Sequence, residues 1–232
     1  MLQQTQVSRV VPKFLAWMNR FPCVEALASA SQTEVLALWS GLGYNRRALA
    51  LKATATAILK DHGGSLPREE AVLRTLPGVG VYTSRAVFAF AFDIPTVFLE
   101  TNIRTVYIKH FFEGMGKVAD SLLYPIAATC LDRSSPARWH NALMDYGAYL
   151  KKSEANHGAK ATAYRKQSEF RTSFRRVRGE VLKVVLKKGQ CDVAMLYETL
   201  PFSREEVERS AEALAAEGFL RYGEGILEVL EP

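Results

Sequence analysis

The sequence predicts an all-α fold that closes with a small C-terminal unit containing one β-hairpin. Three observations predict it. Apolar residues recur at three- and four-residue spacing through the first 150 positions. Glycine, proline and capping residues punctuate those stretches at helix-length intervals. Alternation of period two is confined to 219–229, around Gly223-Glu224-Gly225.

The elements follow in order. Val7, Val10, Val11, Phe14, Leu15 and Met18 form one apolar stripe, and Phe21-Pro22 ends that helix. Ser31 with Glu34 reads as a capping box for the next helix, which carries Val35, Leu36, Leu38 and Trp39 and stops at Gly41-Leu42-Gly43-Tyr44. Residues 45–62 are helical, closed by Gly63-Gly64. Residues 67–90 read as helix, tight turn at Leu76-Pro77-Gly78-Val79-Gly80, helix; Asp93-Ile94-Pro95 breaks the second. Glu100-Thr101-Asn102 opens a helix to about Phe112, and others span about 122–131 and 139–150. Residues 151–175 have no steady apolar period and read as a linker or wrapping arm. Helices over about 176–188, 192–199 and 203–217, the last opened by a Ser203/Glu206 capping box, precede the hairpin and resemble a winged-helix domain. The expected domains are therefore 1–150, a basic arm at 151–175 and a winged-helix-like unit at 176–232.

The chain has 232 residues, 48% hydrophobic and 23% charged, which excludes a disordered or collagen-like polymer. No stretch approaches about 18 uninterrupted apolar residues, so no membrane partner is expected. Met1–Thr5 lacks the charged-then-apolar pattern of a secretory signal. Cys23, Cys130 and Cys191 lie far apart and form no metal-type cluster, which fits a reducing cytoplasm. Of the net charge of +6, residues 151–188 hold 12 basic against 3 acidic side chains, and 189–232 hold 3 against 10. A basic block beside a mildly basic body points to nucleic acid or to a linker neutralised by the tail. The helix over 203–217 carries Glu205, Glu206, Glu208, Glu212 and Glu217, a face that repels phosphates. That unit is expected to pack on the basic arm or bind a protein partner, not to read a groove.

Two glycines at Leu76-Pro77-Gly78-Val79-Gly80 let backbone amides at a helix start approach a phosphate. A plain helix connector would also need small residues there. Taken with Met1-Leu2-Gln3-Gln4-Thr5-Gln6-Val7, Leu38-Trp39-Ser40-Gly41-Leu42-Gly43-Tyr44, Leu99-Glu100-Thr101-Asn102 and Ala142-Leu143-Met144-Asp145-Tyr146-Gly147, in that order, residues 1–150 resemble the helix-hairpin-helix (HhH-GPD) DNA glycosylases, most closely the adenine-specific mismatch (MutY-type) branch.

The resemblance implies a six-helix barrel domain packed on a second helical domain, with mismatched duplex DNA in a cleft. It implies that Gln4 and Tyr44 wedge beside an extruded base, since a stacked base cannot be hydrolysed in place. Arg46 and Arg47 follow and are candidate phosphate contacts, as are Gly78, Val79, Gly80, Lys151 and Lys152. The reacting carboxylate is implied at Glu100, where the family has Asp; the extra methylene displaces it by about 1 Å. Asn102 would orient it or bind backbone. Bifunctional relatives carry a nucleophilic Lys where Tyr82 stands, so base removal without lyase activity is expected. A general acid is implied two residues before Met1, which leads to the expectation of a start upstream. Relatives hold a [4Fe–4S] cluster on four cysteines after the Met-Asp-x-Gly helix; 148–174 contains none, so no cluster is expected, and cluster-free relatives exist. The rival reading is a noncatalytic DNA-binding or damage-sensing protein on the same scaffold.

Overall fold

A computed structural model describes every residue except 4, 167–169, 171, 172 and 232. Along the chain run α1 (Val7–Arg20), α2 (Val24–Ser29), α3 (Gln32–Trp39), α4 (Arg46–His62), α5 (Glu70–Leu73), α6 (Val81–Ala91), α7 (Thr101–Phe111), α8 (Asp120–Cys130) and α9 (Pro136–Ser153). After a short 3-10 turn at His157–Lys160 come α10 (Phe174–Lys188), β1 (Gln190–Asp192), α11 (Val193–Thr199), α12 (Arg204–Ala216), β2 (Leu220–Gly223) and β3 (Ile226–Val229). The fold is mostly helical with one small antiparallel sheet, ordered β1-β3-β2.

The chain packs as two compact units, Met1–Ser65 with Ser168–Pro232, and Leu66–Gln167. These bounds differ from the breaks at 150 and 175 read from composition. The reason is a shared core. Leu36 and Trp39 of α3 and Trp17 of α1 join Val181 and Val185 of α10, Leu196, Val207, Leu214, Phe219 and Leu227 in one apolar cluster. Each fully buried aliphatic side chain contributes about 1.5–3 kcal/mol, against about 1 kcal/mol or less for a surface ion pair. The winged-helix-like segment is therefore half of a unit, and charge composition could not reveal that.

Local details depart from the sequence reading in three places. In α1 the buried residues are Val10 and Trp17, while Val7, Val11, Phe14, Leu15 and Met18 of the apolar stripe are exposed. Trp17 sets the buried side by packing edge-on to Trp39 and Phe21 at 5.6 and 4.9 Å between ring centres. The Ser31 box is half formed. Ser31 accepts from the Glu34 amide, but the Glu34 carboxylate is drawn to Arg20 at 2.5 Å. A carboxylate from the far end of the chain completes the cap: Glu231 accepts from the Gln32 amide at 2.7 Å, the Thr33 amide at 3.0 Å and the Thr33 hydroxyl at 2.6 Å. The Ser203/Glu206 box is complete. The third difference is β1, which pairs Cys191 with Leu227 and adds a strand to the expected hairpin.

The second unit is organised on α7, whose Ile103, Val106, Tyr107 and Ile108 are buried. Helix α9 lies against it with no side chain at the crossing: a Cβ on Gly147 would fall 2.2 Å from the Asn102 carbonyl oxygen. Beyond α9 the 3-10 turn is seated equally close, a Cβ on Gly158 falling 2.5 Å from Thr105 Oγ1. Thr162 then donates its amide to the Val118 carbonyl at 2.9 Å, and Val118 to that of Lys160 at 2.9 Å. His140 of α9 stacks on Phe98 at 4.0 Å and bonds the Thr96 carbonyl at 2.9 Å, which fixes the strand-like run leading into α7.

Glu231→Ala removes a cap shared by the two ends of the chain. A loss of about 1 kcal/mol in urea-unfolding free energy is expected, with little change for Glu228→Ala, whose partner Arg221 is exposed. Gly147→Ala forces α9 off α7, with an expected loss of about 2 kcal/mol or more in the same measurement.

Candidate active site

Glu100 is the N-cap of α7, and its Oε1 accepts from the Ile103 amide at 2.7 Å. The cap satisfies one amide that helix geometry leaves unpaired. It also aims the carboxyl group at the positive end of the helix dipole. Burial pushes the carboxyl pKa up, opposed by the Ile103 and Asn102 amides and by the charges of Lys151 and Arg104. The net direction is upward, so the ionised form is held at a cost and is more basic than an exposed glutamate.

Three helices converge on this carboxyl group. From α7, Arg104 forks onto Asp120 of α8 at 2.8 and 2.7 Å. From α9, Lys151 Nζ donates to Asn102 Oδ1 at 2.6 Å. From the first turn of α6, Tyr82 packs edge-on to Phe98 at 5.5 Å. Burial, and then the Glu100 charge, raise the Tyr82 phenol pKa, which keeps it protonated. The sequence reading grouped Glu100, Asn102 and Tyr82, and the fold brings all three together. It grouped Lys151 with Lys152 as phosphate contacts; Lys151 is turned inward and Lys152 is exposed.

The bend before α6 sits two residues from Tyr82. Gly78 has φ +73°, a conformation that disfavours any side chain. The Val79 amide closes the turn on the Leu76 carbonyl at 3.1 Å, and Gly80 is the exposed, extended N-cap of α6. The first turn of α6 begins at this bend, and a helix start with its dipole is an arrangement that favours an anion.

The Gly41–Tyr44 turn is held in a conformation few sequences tolerate. Gly41, Gly43 and Tyr44 all have positive φ, at +91°, +74° and +51°. Its carbonyls are taken by side-chain donors: Gly41 by Arg9, Leu42 by the Thr5 hydroxyl at 3.0 Å, and Gly43 by Trp39 Nε1 at 3.0 Å and Arg47 at 3.3 Å. Tyr44 is left 43% exposed, and Arg175 of α10 donates to its hydroxyl at 3.3 Å. Arg47 is spent on this turn and on the Gln3 carbonyl at 2.8 Å, lying over the Trp39 and Tyr44 rings. Arg46 is the exposed one, with Glu217 at 3.8 Å. Gln4 lies outside the described residues. Thr5, Arg9 and Trp39 were missed by sequence reasoning, since nothing local shows that their donors reach one turn.

The chain does not fit a four-thiolate cluster. Cys23 is exposed, Cys130 half-buried and Cys191 buried, and Cys130 belongs to a different compact unit from the other two. Where the resemblance implies cluster ligands, Glu154 pairs with Lys109 at 3.1 Å and Lys160 donates to the Glu113 carbonyl at 2.6 Å. Among the described residues no helix is long and apolar enough to cross a membrane. The acidic face of α12 is partly engaged internally: Tyr197 and Tyr222 both donate to Glu208, and Arg178 pairs with Glu217 at 2.6 Å.

Comparison with known proteins follows the same residues. The adenine DNA glycosylase of Mycolicibacterium smegmatis is 39% identical over 150 residues, 64% of this chain and 51% of that protein. That of Homo sapiens is 36% identical over 152 residues, 64% of this chain and 28% of that protein. The chain thus spans about half or less of the length of these relatives. Among solved structures, a thermostable thymine-DNA glycosylase superposes with a TM-score of 0.56 at 24% identity, over 66% of this chain and 72% of that one. A trapped endonuclease III–DNA covalent intermediate superposes with a TM-score of 0.58 at 18% identity, over the same shares. These two likenesses speak for the fold. A family model described as HhH-GPD superfamily base excision DNA repair protein matches residues 1–120, a stretch that holds the Gly41–Tyr44 turn, the Gly78–Gly80 bend, Tyr82 and Glu100. The chain belongs to the HhH-GPD superfamily of base excision DNA repair proteins.

Proposed function

We propose that the chain is a monofunctional DNA glycosylase that hydrolyses the N-glycosidic bond of a mismatched base in duplex DNA, adenine opposite guanine or 8-oxoguanine. The observation that carries this reading is the half-buried Glu100 carboxyl group, fixed at the start of α7 with Asn102 and Tyr82 beside it. The curated relatives named as adenine DNA glycosylases support the choice of base.

The chemistry follows from charge. The C1′–N bond breaks with its electron pair leaving on the base, and positive charge spreads over C1′ and the ring oxygen. A carboxylate held in a poorly hydrated site stabilises that charge more than water would. The oxygen of a water then adds to C1′, and its proton balances the charge on the released base. Tyr44 is the wedge that fills the gap left by the extruded nucleotide, on a turn already locked by Arg9, Thr5, Trp39 and Arg47. Arg46, Lys152 and the Gly78 and Gly80 amides are the phosphate contacts, the Val79 amide being taken by the Leu76 carbonyl. No iron–sulfur cluster is proposed for this chain, whose sequence has 3 cysteines, short of the four thiolates that such a cluster takes. The exposed Glu205 and Glu212 of α12 are the carboxylates proposed for a protein partner.

One observation favours the noncatalytic alternative: an oxygen of Glu100 is already engaged as the cap of α7. A release assay separates the two. Free adenine from A:8-oxoguanine and A:G duplexes, and a loss of at least about 100-fold in Glu100→Gln, are expected. Tight binding of mismatched duplex with no base released, also by a chain extended upstream, would establish the alternative.

Tyr82 offers a phenol where a lyase needs an amine. Borohydride added during turnover is therefore expected to leave no protein–DNA crosslink on denaturing gels, and strand cleavage is expected only after alkali.

A further inference from the structure

The proposed reaction uses Glu100 and Asn102 but does not absorb Lys151, a half-buried amine on α9 in the same cluster. We infer that Lys151 is a positioning residue for the glycosidic cleavage: its ammonium clamps the Asn102 amide and supplies the positive charge that balances the Glu100 carboxylate. The inference deepens the glycosylase reading and rests on it for its consequence to the reaction.

Geometry places the amine. Gly147 brings the α9 backbone against Asn102, a Cβ there falling 2.2 Å from the Asn102 carbonyl oxygen and 2.8 Å from Asn102 Cβ. Lys151 lies four residues on, on the same face of α9. One turn after the contact, its Nζ reaches Asn102 Oδ1 at 2.6 Å. Leu150 beside it is 1% exposed and seats that turn of α9 in the core. The lysine is therefore anchored at both ends of its reach, by α9 packing and by the amide.

Charge assigns its role. Among the described residues, the charged or titratable groups that face Glu100 are Lys151 from α9, Arg104 from α7 and Tyr82 from α6. Arg104 already forks onto Asp120, so most of its charge is answered by another carboxylate. Tyr82 is neutral when protonated. Lys151 has a neutral amide as its hydrogen-bond partner, so its charge is directed to Glu100. The coupling is mutual. Burial lowers the Lys151 pKa while the Glu100 charge raises it, and Lys151 in turn opposes the burial that raises Glu100.

The sign follows. Removing the Lys151 charge leaves burial less opposed, so Glu100 protonates at higher pH, and the protonated form cannot stabilise a cation. The test is the Glu100 carboxyl-carbon chemical shift followed against pH in the full chain carrying 13C-labelled glutamate, assigned by its loss in Glu100→Gln. Lys151→Met is expected to move the midpoint up by about one pH unit, and Lys151→Arg to leave it near the wild-type value. Lys151→Gln is the second charge-removing variant where Lys151→Met does not fold. In single-turnover base release, the acidic limb of the rate profile is expected to move by the same amount in Lys151→Met and to return in Lys151→Arg. An unmoved midpoint overturns the inference, as does an arginine variant that shifts like the methionine one, which would assign the effect to the lysine stem. A shifted midpoint in a chain that releases no base keeps the Lys151–Glu100 coupling and removes the glycosylase reading. Base release with an unmoved midpoint does the reverse.

Discussion

The approach of α9 to the first turn of α7 is the constraint on which the site depends. Only a residue without a side chain permits it, and Gly147 stands at the crossing. With that spacing, Asn102 and Lys151 come within hydrogen-bond distance, and the carboxyl group capping α7 is enclosed on the α9 side. A wider crossing would leave Glu100 hydrated and its charge screened. The same helix pair carries Ile103, Leu143 and Leu150 into the core, so the apolar packing that stabilises the unit also dries the carboxylate.

The site stores a conflict characteristic of reactive groups. Burial disfavours the ionised carboxylate, while a helix-start amide and nearby cations favour it. Neither influence removes the other. A fully neutralised glutamate would be a structural cap only, and a fully hydrated one would have little effect on a neighbouring cation. Tyr82 belongs to the same balance, because the Glu100 charge helps keep its phenol protonated.

The Gly41–Tyr44 turn shows a second way of holding an improbable conformation. Three positive-φ positions within four residues are sustained by donors from α1, α3, α4 and the segment before α1. The donors pair the carbonyls of the turn while the Tyr44 ring is left 43% exposed. In the same unit, the core shared by α3 and α10 explains why the C-terminal residues join the N-terminal ones, and Glu231 reinforces that junction by capping α3.

The sequence by itself determined the helical class, most helix ends, the glycine bends and the identity of the candidate carboxylate. Those features are local. Capping serine, breaking proline and a Gly-x-Gly turn act through backbone sterics and neighbouring hydrogen bonds, whereas Glu100 is singled out by resemblance, through the match of Leu99-Glu100-Thr101-Asn102 to the family's motif. Tertiary structure alone decided which side of α1 is buried, which segments share a core, that Arg47 serves a turn, and that Lys151 faces Asn102 and not solvent. Those outcomes turn on where a side chain of about 6 Å reach meets an element 49 positions away in the chain. Periodicity along one helix carries no record of such a distance, which is set by how closely two backbones approach.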